Sequence, residues 1–89
     1  MRQPAPRRPA DLRLVEAVRA EVRRLRREGR IPVELRLSQA AWNDLSPELR
    51  FAPFGGRRVM QFDGLPSALV LGLSDPQGFT VHTIAPRRD

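Results

Sequence analysis

The spacing of apolar positions predicts a long amphipathic helix near the start of the chain. Between about Pro9 and Glu28, apolar residues recur at intervals of four, four and three, which places them on one stripe of a helix. These residues are Leu14, Val18, Val22 and Leu25. Asp11 suits the positive end of the helix dipole, and Gly29 suits the position just after the last turn. The stripe is therefore expected to pack on the rest of the fold.

The next segment, IPVELRLS, alternates strictly between apolar and polar positions, which predicts a strand with one solvent-exposed face. Its apolar positions are Ile31, Val33, Leu35 and Leu37. Ser38 then suits the N-cap of a short helix that runs through Leu45. Ser46 and Pro47 end this helix and begin a further turn that leads to Leu49. Trp42, Leu45 and Leu49 are expected to share the buried side of this piece.

The remainder of the chain has the turn chemistry of β structure. The segments RRVMQF and LPSALVL flank Asp63 and Gly64, the dipeptide that favours a type I′ hairpin, and SDPQG is a second turn before the strand FTVHTI. We therefore predict one small α+β domain over residues 9–85. Its long N-terminal helix precedes a β-α-β-β-β order, with a mostly antiparallel sheet and helices packed on one face. Residues 1–8 are expected to be a flexible basic arm, and residues 86–89 a C-terminal tail.

One segment of this β region resembles small proteins encoded by phages and prophages. The segment FGGRRVMQFDGLPSALVLGLSDPQGFTV, from Phe54 to Val81, covers under a third of the chain. It combines a glycine-rich entry, a strand, a Gly-hydrophobic-Pro turn and a proline-glycine turn, which recur in virion or accessory proteins. The resemblance implies a role of that kind and carries over no functional residue.

Composition narrows the protein class without identifying a function. The 89 residues are 40% hydrophobic and 29% charged, which fits one small soluble domain. No apolar run approaches the roughly 20 residues that span a bilayer, and the arginine-containing N-terminus has no apolar signal core. We expect a cytoplasmic protein, or one that is part of a virion. The absence of cysteine excludes disulfides and thiolate metal sites.

The residues that catalysis requires are scarce. His82 is the one histidine, the chain has no lysine or tyrosine, and no serine lies in a nucleophile-elbow context. Asp44 and Glu48 are four residues apart, but Ser46 and Pro47 interrupt the helix that would align them. We therefore expect no enzyme activity, no metal, no cofactor and no small-molecule substrate.

The positive charge is concentrated in the first third of the chain and is entirely arginine. Residues 1–30 contain ten arginines against four acids, whereas residues 31–89 contain six of each. At 100° per residue, four arginines share one face of the predicted helix beside the apolar stripe, and Arg27 lies alongside them. The four are Arg19, Arg23, Arg26 and Arg30. Glu21 and Glu28 lie elsewhere on the helix, so this arginine row is predicted to be largely uncompensated.

The arginine row has two open interpretations. As a functional surface it would contact phosphates of nucleic acid, or the anionic surface of a nucleoprotein, with a log affinity against log salt slope of about −4 to −5 on duplex DNA. As a solvated helix face it would only reflect GC-rich codon use. The alternative function is a protein–protein interaction module, either a virion structural subunit or an inhibitor of a host protein, with arginines facing acidic surfaces. A homo-oligomer or a larger assembly is compatible with either function, and a membrane partner is not expected.

The segment FAPFGGRR adds secondary candidates for contact. Gly55 and Gly56 beside two arginines could form an anion nest, but the following strand favours a bend that leads into a hairpin. Phe51 and Phe54 are expected to cap the core, with an exposed Phe54 that contacts a protein partner as the alternative. The secondary contact residues are Arg7, Arg8, Phe54, Arg57 and Arg58.

Overall fold

The computed structural model describes residues 10–86, which form one mixed α+β domain, as predicted. In chain order its elements are α1 (Leu12–Arg27), β1 (Ile31–Leu37), α2 (Gln39–Leu45), a 3₁₀ turn (Ser46–Glu48), β2 (Arg50–Phe54), β3 (Arg57–Phe62), β4 (Leu65–Leu69) and β5 (Phe79–Ile84). The predicted arm with Arg7 and Arg8, and the tail beyond Pro86, lie outside the described residues.

The five strands form one sheet in the order β2-β3-β4-β1-β5. The interior strand β1 runs parallel to β4 and antiparallel to β5, and the other neighbours are antiparallel. The mostly antiparallel sheet is thus confirmed, while the position of both helices on one face stays a prediction. The predicted order β-α-β-β-β contains four strands, whereas the structure has five, because the sequence pattern did not predict β2 as a strand. Its Pro53 is tolerated because β2 is an edge strand that pairs only with β3.

The core lies where residues of α1 and α2 pack against β1 and against single residues of β3 and β5. Leu35 and Leu37 of β1 and Leu45 of α2 have no exposed surface, and α1 contributes Val15 and Val18 to the same cluster. The predicted stripe of α1 is correct in outline. Val18 and Leu25 are buried, and Leu14 and Val22 are half-buried. The buried side predicted for α2 is also confirmed, with Leu45 and Leu49 buried and Trp42 half-buried against the cluster.

The start of α1 is held in place by Asp11. Its carboxylate accepts a hydrogen bond from the amide of Arg13 at 2.9 Å, as an N-cap does. The amide of Asp11 itself donates to the carbonyl oxygen of Asp44 at 3.0 Å, which ties α1 to the end of α2. These two hydrogen bonds therefore fix the position of the start of the helix.

The end of α1 is equally well defined. Gly29 has a φ of +79°, and its amide donates to the carbonyl oxygen of Arg26 at 3.0 Å. The amide of Arg30 donates to the carbonyl oxygen of Leu25 at the same distance, which completes a Schellman motif. Helical geometry consequently stops before Arg30, and the helix wheel no longer gives the direction of its side chain.

Two tight hairpins shape the other half of the sheet. Gly55 and Gly56 have φ of +58° and +81° and join β2 to β3, so the interpretation of this segment as a bend is confirmed. Asp63 and Gly64 have φ of 50° and 80° and form the predicted turn between β3 and β4. The second turn brings Asp63 within hydrogen-bond distance of Arg19 of α1.

The expectation that the two phenylalanines of β2 cap the core is wrong. Phe51 and Phe54 are 55% and 54% exposed, because they lie on an edge strand whose residues are not covered by the core cluster. Three positions apart on a strand, they belong to opposite faces of β2. The alternative expectation, an exposed Phe54, is the one that the structure supports.

Candidate anion-binding site

Two neighbouring depressions lie between α1 and the turn that joins β3 to β4, and together they form the candidate site. The first, of about 200 Å³, is lined by Arg19, Arg23 and Arg26 of α1 and by Phe62, Asp63 and Leu65. The second, also of about 200 Å³, shares Arg26, Asp63 and Leu65 with the first and adds Phe54, Pro32 and Pro66. Arg26 therefore borders both depressions.

Arg19 is neutralised by the protein's own acids. Its Nε donates to Asp63 Oδ2 at 2.9 Å and its Nη2 to Asp63 Oδ1 at 3.3 Å, while Glu16 Oε1 lies 3.7 Å from Nη1. The guanidinium carbon also lies 5.7 Å from the centre of the Phe62 ring. The hydrogen bond with Asp63, followed by the charge of that carboxylate, raises the pKa of Arg19. The expectation of an uncompensated row is thus wrong at Arg19, because a turn 44 residues later packs against the helix.

Three other arginines of α1 have no acidic partner among residues 10–86, as the sequence predicted. Arg23, Arg26 and Arg27 are exposed, and within residues 10–86 no carboxylate oxygen lies within 4.0 Å of their nitrogens. The nearby acids of the helix are engaged on its other side. Arg24 donates to Glu21 and, at 2.8 Å, to Glu28, and these contacts raise its pKa.

Arg30 does not belong to the row. It lines a separate depression together with Glu21, Arg24 and the β5 residues Thr80 and Val81. The prediction extended the 100° rotation of a helix to a residue that follows the left-handed Gly29. That extension is wrong, and the row is reduced to Arg19, Arg23 and Arg26. Arg27 is exposed alongside it and lines neither depression.

The secondary candidates on the hairpin are separated by the fold. Phe54 borders the depression that Arg26 also lines. Arg57 is the direct cross-strand partner of Phe54, but it lines neither depression. Arg58 instead lies over the ring of Phe51, with its guanidinium carbon 5.4 Å from the ring centre. Only Phe54 is therefore brought into the site itself.

Several residues of the site were not identified from the sequence. Asp63 was recognised only as part of a turn, and Phe62, Leu65 and Pro66 only as strand residues. No local pattern indicates that this hairpin approaches α1. Glu16 could have been found, because it precedes Arg19 by three residues and such pairs meet on a helix.

The arrangement is suited to binding anions because of its guanidinium groups, and it places apolar walls and one exposed aromatic ring beside them. Its one carboxylate, Asp63, is already paired with Arg19.

Among residues 10–86, no three histidine, aspartate or glutamate side chains are grouped closely enough to hold a metal ion. Over the same part of the chain, no helix has both the length and the apolar content to cross a membrane. No protein family, curated protein or solved structure matches the chain.

Proposed function

We propose that this is a small, non-catalytic accessory protein, of the phage type that its segment from Phe54 to Val81 resembles, which binds nucleic acid through α1. The observation that carries the proposal is the group formed by Arg23, Arg26 and Arg27. These side chains are exposed, lie within about one helical turn and have no carboxylate partner among residues 10–86.

Guanidinium groups in this state match phosphate well. Each one is permanently charged and presents a planar fork of donors, so it can bind a phosphate by two hydrogen bonds. Binding then releases the counterions that had condensed on the nucleic acid. For three phosphate contacts, the slope of log affinity against log salt is about −2 on single strands and about −2.7 on duplex DNA. This is less steep than the sequence predicted, because Arg19 is paired and Arg30 lies elsewhere.

The test is a titration of a fluorescent, mixed-sequence oligonucleotide of about 20 residues with the full chain at about 50, 100 and 200 mM salt. We expect binding at the lowest salt and a slope of about −2 or steeper. An absence of binding at about 50 mM salt, or an affinity that does not change with salt, would contradict the proposal.

A second candidate, a protein–protein interaction module, is favoured by the exposed ring of Phe51 and by the open edge of β2. It predicts no affinity for oligonucleotides. A light-scattering mass above the 10.1 kDa of one chain, persisting in high salt, would support it.

Replacing Asp63 by asparagine should strengthen the binding of nucleic acid. The change removes a negative charge from the site and the shortest ion pair of Arg19, which keeps only Glu16 at 3.7 Å and can turn towards a further phosphate. Asparagine tolerates the positive φ of this position and favours the same turn with Gly64. One added contact corresponds to an affinity about fivefold higher on single strands and about eightfold higher on duplex at about 0.1 M salt. The oligonucleotide titration described above measures this gain.

The matched control for this variant is Glu34→Gln. Glu34 Oε1 accepts a hydrogen bond from Arg36 Nε at 2.7 Å, so the substitution also releases one arginine and removes one negative charge. Neither residue lines the candidate site. Equal gains in the two variants would show that net charge governs binding, and would contradict a localised site.

A further inference from the structure

We infer that the nucleic acid bound at this site is single-stranded, with one base stacked on Phe54. The inference rests on the proposed function and adds to it the class of nucleic acid and the role of the aromatic ring.

The surroundings of Phe54 carry the first part of the argument. The ring is 54% exposed, at the end of an edge strand, and it borders a depression of about 200 Å³. Pro32 and Pro66 provide apolar walls, and Arg26 provides a cation. A base that enters the depression would meet an aromatic face while its own phosphate lies near a guanidinium. Proteins that bind single strands combine these two contacts.

The shape of the site carries the second part. In a duplex the bases are paired and stacked inside the helix, so the ring of Phe54 cannot reach a base face without disrupting the pairing. A single strand presents its bases freely. The uncompensated arginines also span little length, since the rise from Arg23 to Arg27 is about 6 Å. A contact of a few phosphates and one base fits this surface.

Asp63 faces the same depression and could repel a phosphate. Both of its carboxylate oxygens, however, accept hydrogen bonds from Arg19, at 2.9 and 3.3 Å. The charge of Asp63 is therefore offset within the site, and Arg23 and Arg26 determine the sign of the local potential.

Phe51 provides a matched control on the same strand. It is 55% exposed, nearly as much as Phe54, but it belongs to the opposite face of β2 and borders neither depression. Its ring is next to Arg58 instead. Phe51→Leu and Phe54→Leu are therefore the same chemical change at equal exposure, and only the second alters the site.

The experiment compares the full-length protein with these two variants, each checked for native circular dichroism. The probes are an oligothymidylate of about 20 residues, a duplex of equal length, and a single strand of equal length with abasic sites. We expect the unmodified protein to prefer the oligothymidylate over the duplex. Phe54→Leu should lower the affinity for the oligothymidylate about fivefold or more, because stacking on an aromatic contributes to single-strand affinity by this much or more per base.

Three further measurements complete the test. The affinity of Phe51→Leu for the oligothymidylate should stay within about twofold of that of the unmodified protein. The slope of log affinity against log salt should be the same for Phe54→Leu as for the unmodified protein, and the two proteins should bind the abasic strand with equal affinity. Equal losses in the two variants, or tighter binding to duplex with Phe54→Leu unaffected, would overturn the stacking inference and leave the proposed function standing. Failure of the unmodified protein to bind any probe would instead contradict the proposed function.

Discussion

Replacement of Arg23, Arg26 and Arg27 together by glutamine should weaken binding to an oligothymidylate about 100-fold at about 0.1 M salt. Three phosphate contacts contribute about two units to the slope of log affinity against log salt on a single strand, which gives this factor at that salt concentration. The slope itself should become less steep by the same two units. Glutamine keeps the polar character and most of the helix propensity of arginine, so α1 should remain formed. Titrations at several salt concentrations measure both quantities.

The control is a variant that loses equal charge elsewhere, with glutamine in place of Arg13, Arg24 and Arg36. Arg24 and Arg36 are paired with the protein's own acids, and none of the three residues lines the candidate site. This variant should keep most of the affinity and the salt slope. If both triple variants lose affinity equally, binding depends on net charge, and Arg23, Arg26 and Arg27 have no special role. Basic residues in the last turn of α1 also stabilise the helix by interacting with the negative end of its dipole. Thermal unfolding should therefore be recorded for each variant, to show that the fold is retained.

Replacement of Leu37 by alanine should lower the free energy of unfolding by about 3 to 4 kcal/mol. Leu37 has no exposed surface and lies in β1, between Phe79 of β5 and Leu69 of β4. Truncation would remove buried methyl groups and leave a cavity in the centre of the only large apolar cluster of residues 10–86. Because a domain of this size has a total stability of only about 5 to 10 kcal/mol, the effect is large. Urea unfolding followed by circular dichroism gives the value.

Leu71→Ala is the matched control for this variant. Leu71 is 76% exposed, in the segment between β4 and β5, and is not part of the core cluster. The same chemical change should alter the free energy of unfolding there by no more than about 0.5 kcal/mol. A similar loss at both positions would mean that the described core is not what holds the domain together.

The sequence was sufficient wherever local interactions determine the structure. The spacing of Val18, Val22 and Leu25 identified α1, and Asp63 with Gly64 identified a hairpin, because helix periodicity and turn conformation depend on residues close in sequence. Strand β2 was missed for the same reason. Its Pro53 and the following glycines carry a local turn signal, and only the pairing with β3 makes the segment a strand.

The candidate site was predictable only in part. The wheel of α1 correctly grouped Arg19, Arg23 and Arg26, which line one depression in the structure. The pairing of Arg19 with Asp63, and the position of Phe54 beside Arg26, depend on contacts between distant segments and have no local signal. Tertiary contacts therefore determine which arginines are paired with a carboxylate and which are available to bind an anion.

The position of β1 between β4 and β5 has a consequence for synthesis on the ribosome. Its two neighbours, β4 and β5, both follow it by more than two strands in the chain, and the parallel pairing with β4 brings together segments that start more than thirty residues apart. The chain must leave the exit tunnel as far as Leu69 before this strand gains its first partner, and as far as Ile84 before it gains the second. A nascent chain that stops before Phe79 would leave β1 without its partner β5 and expose part of the apolar cluster, so the pairing of β5 is the step that ends this vulnerability to aggregation.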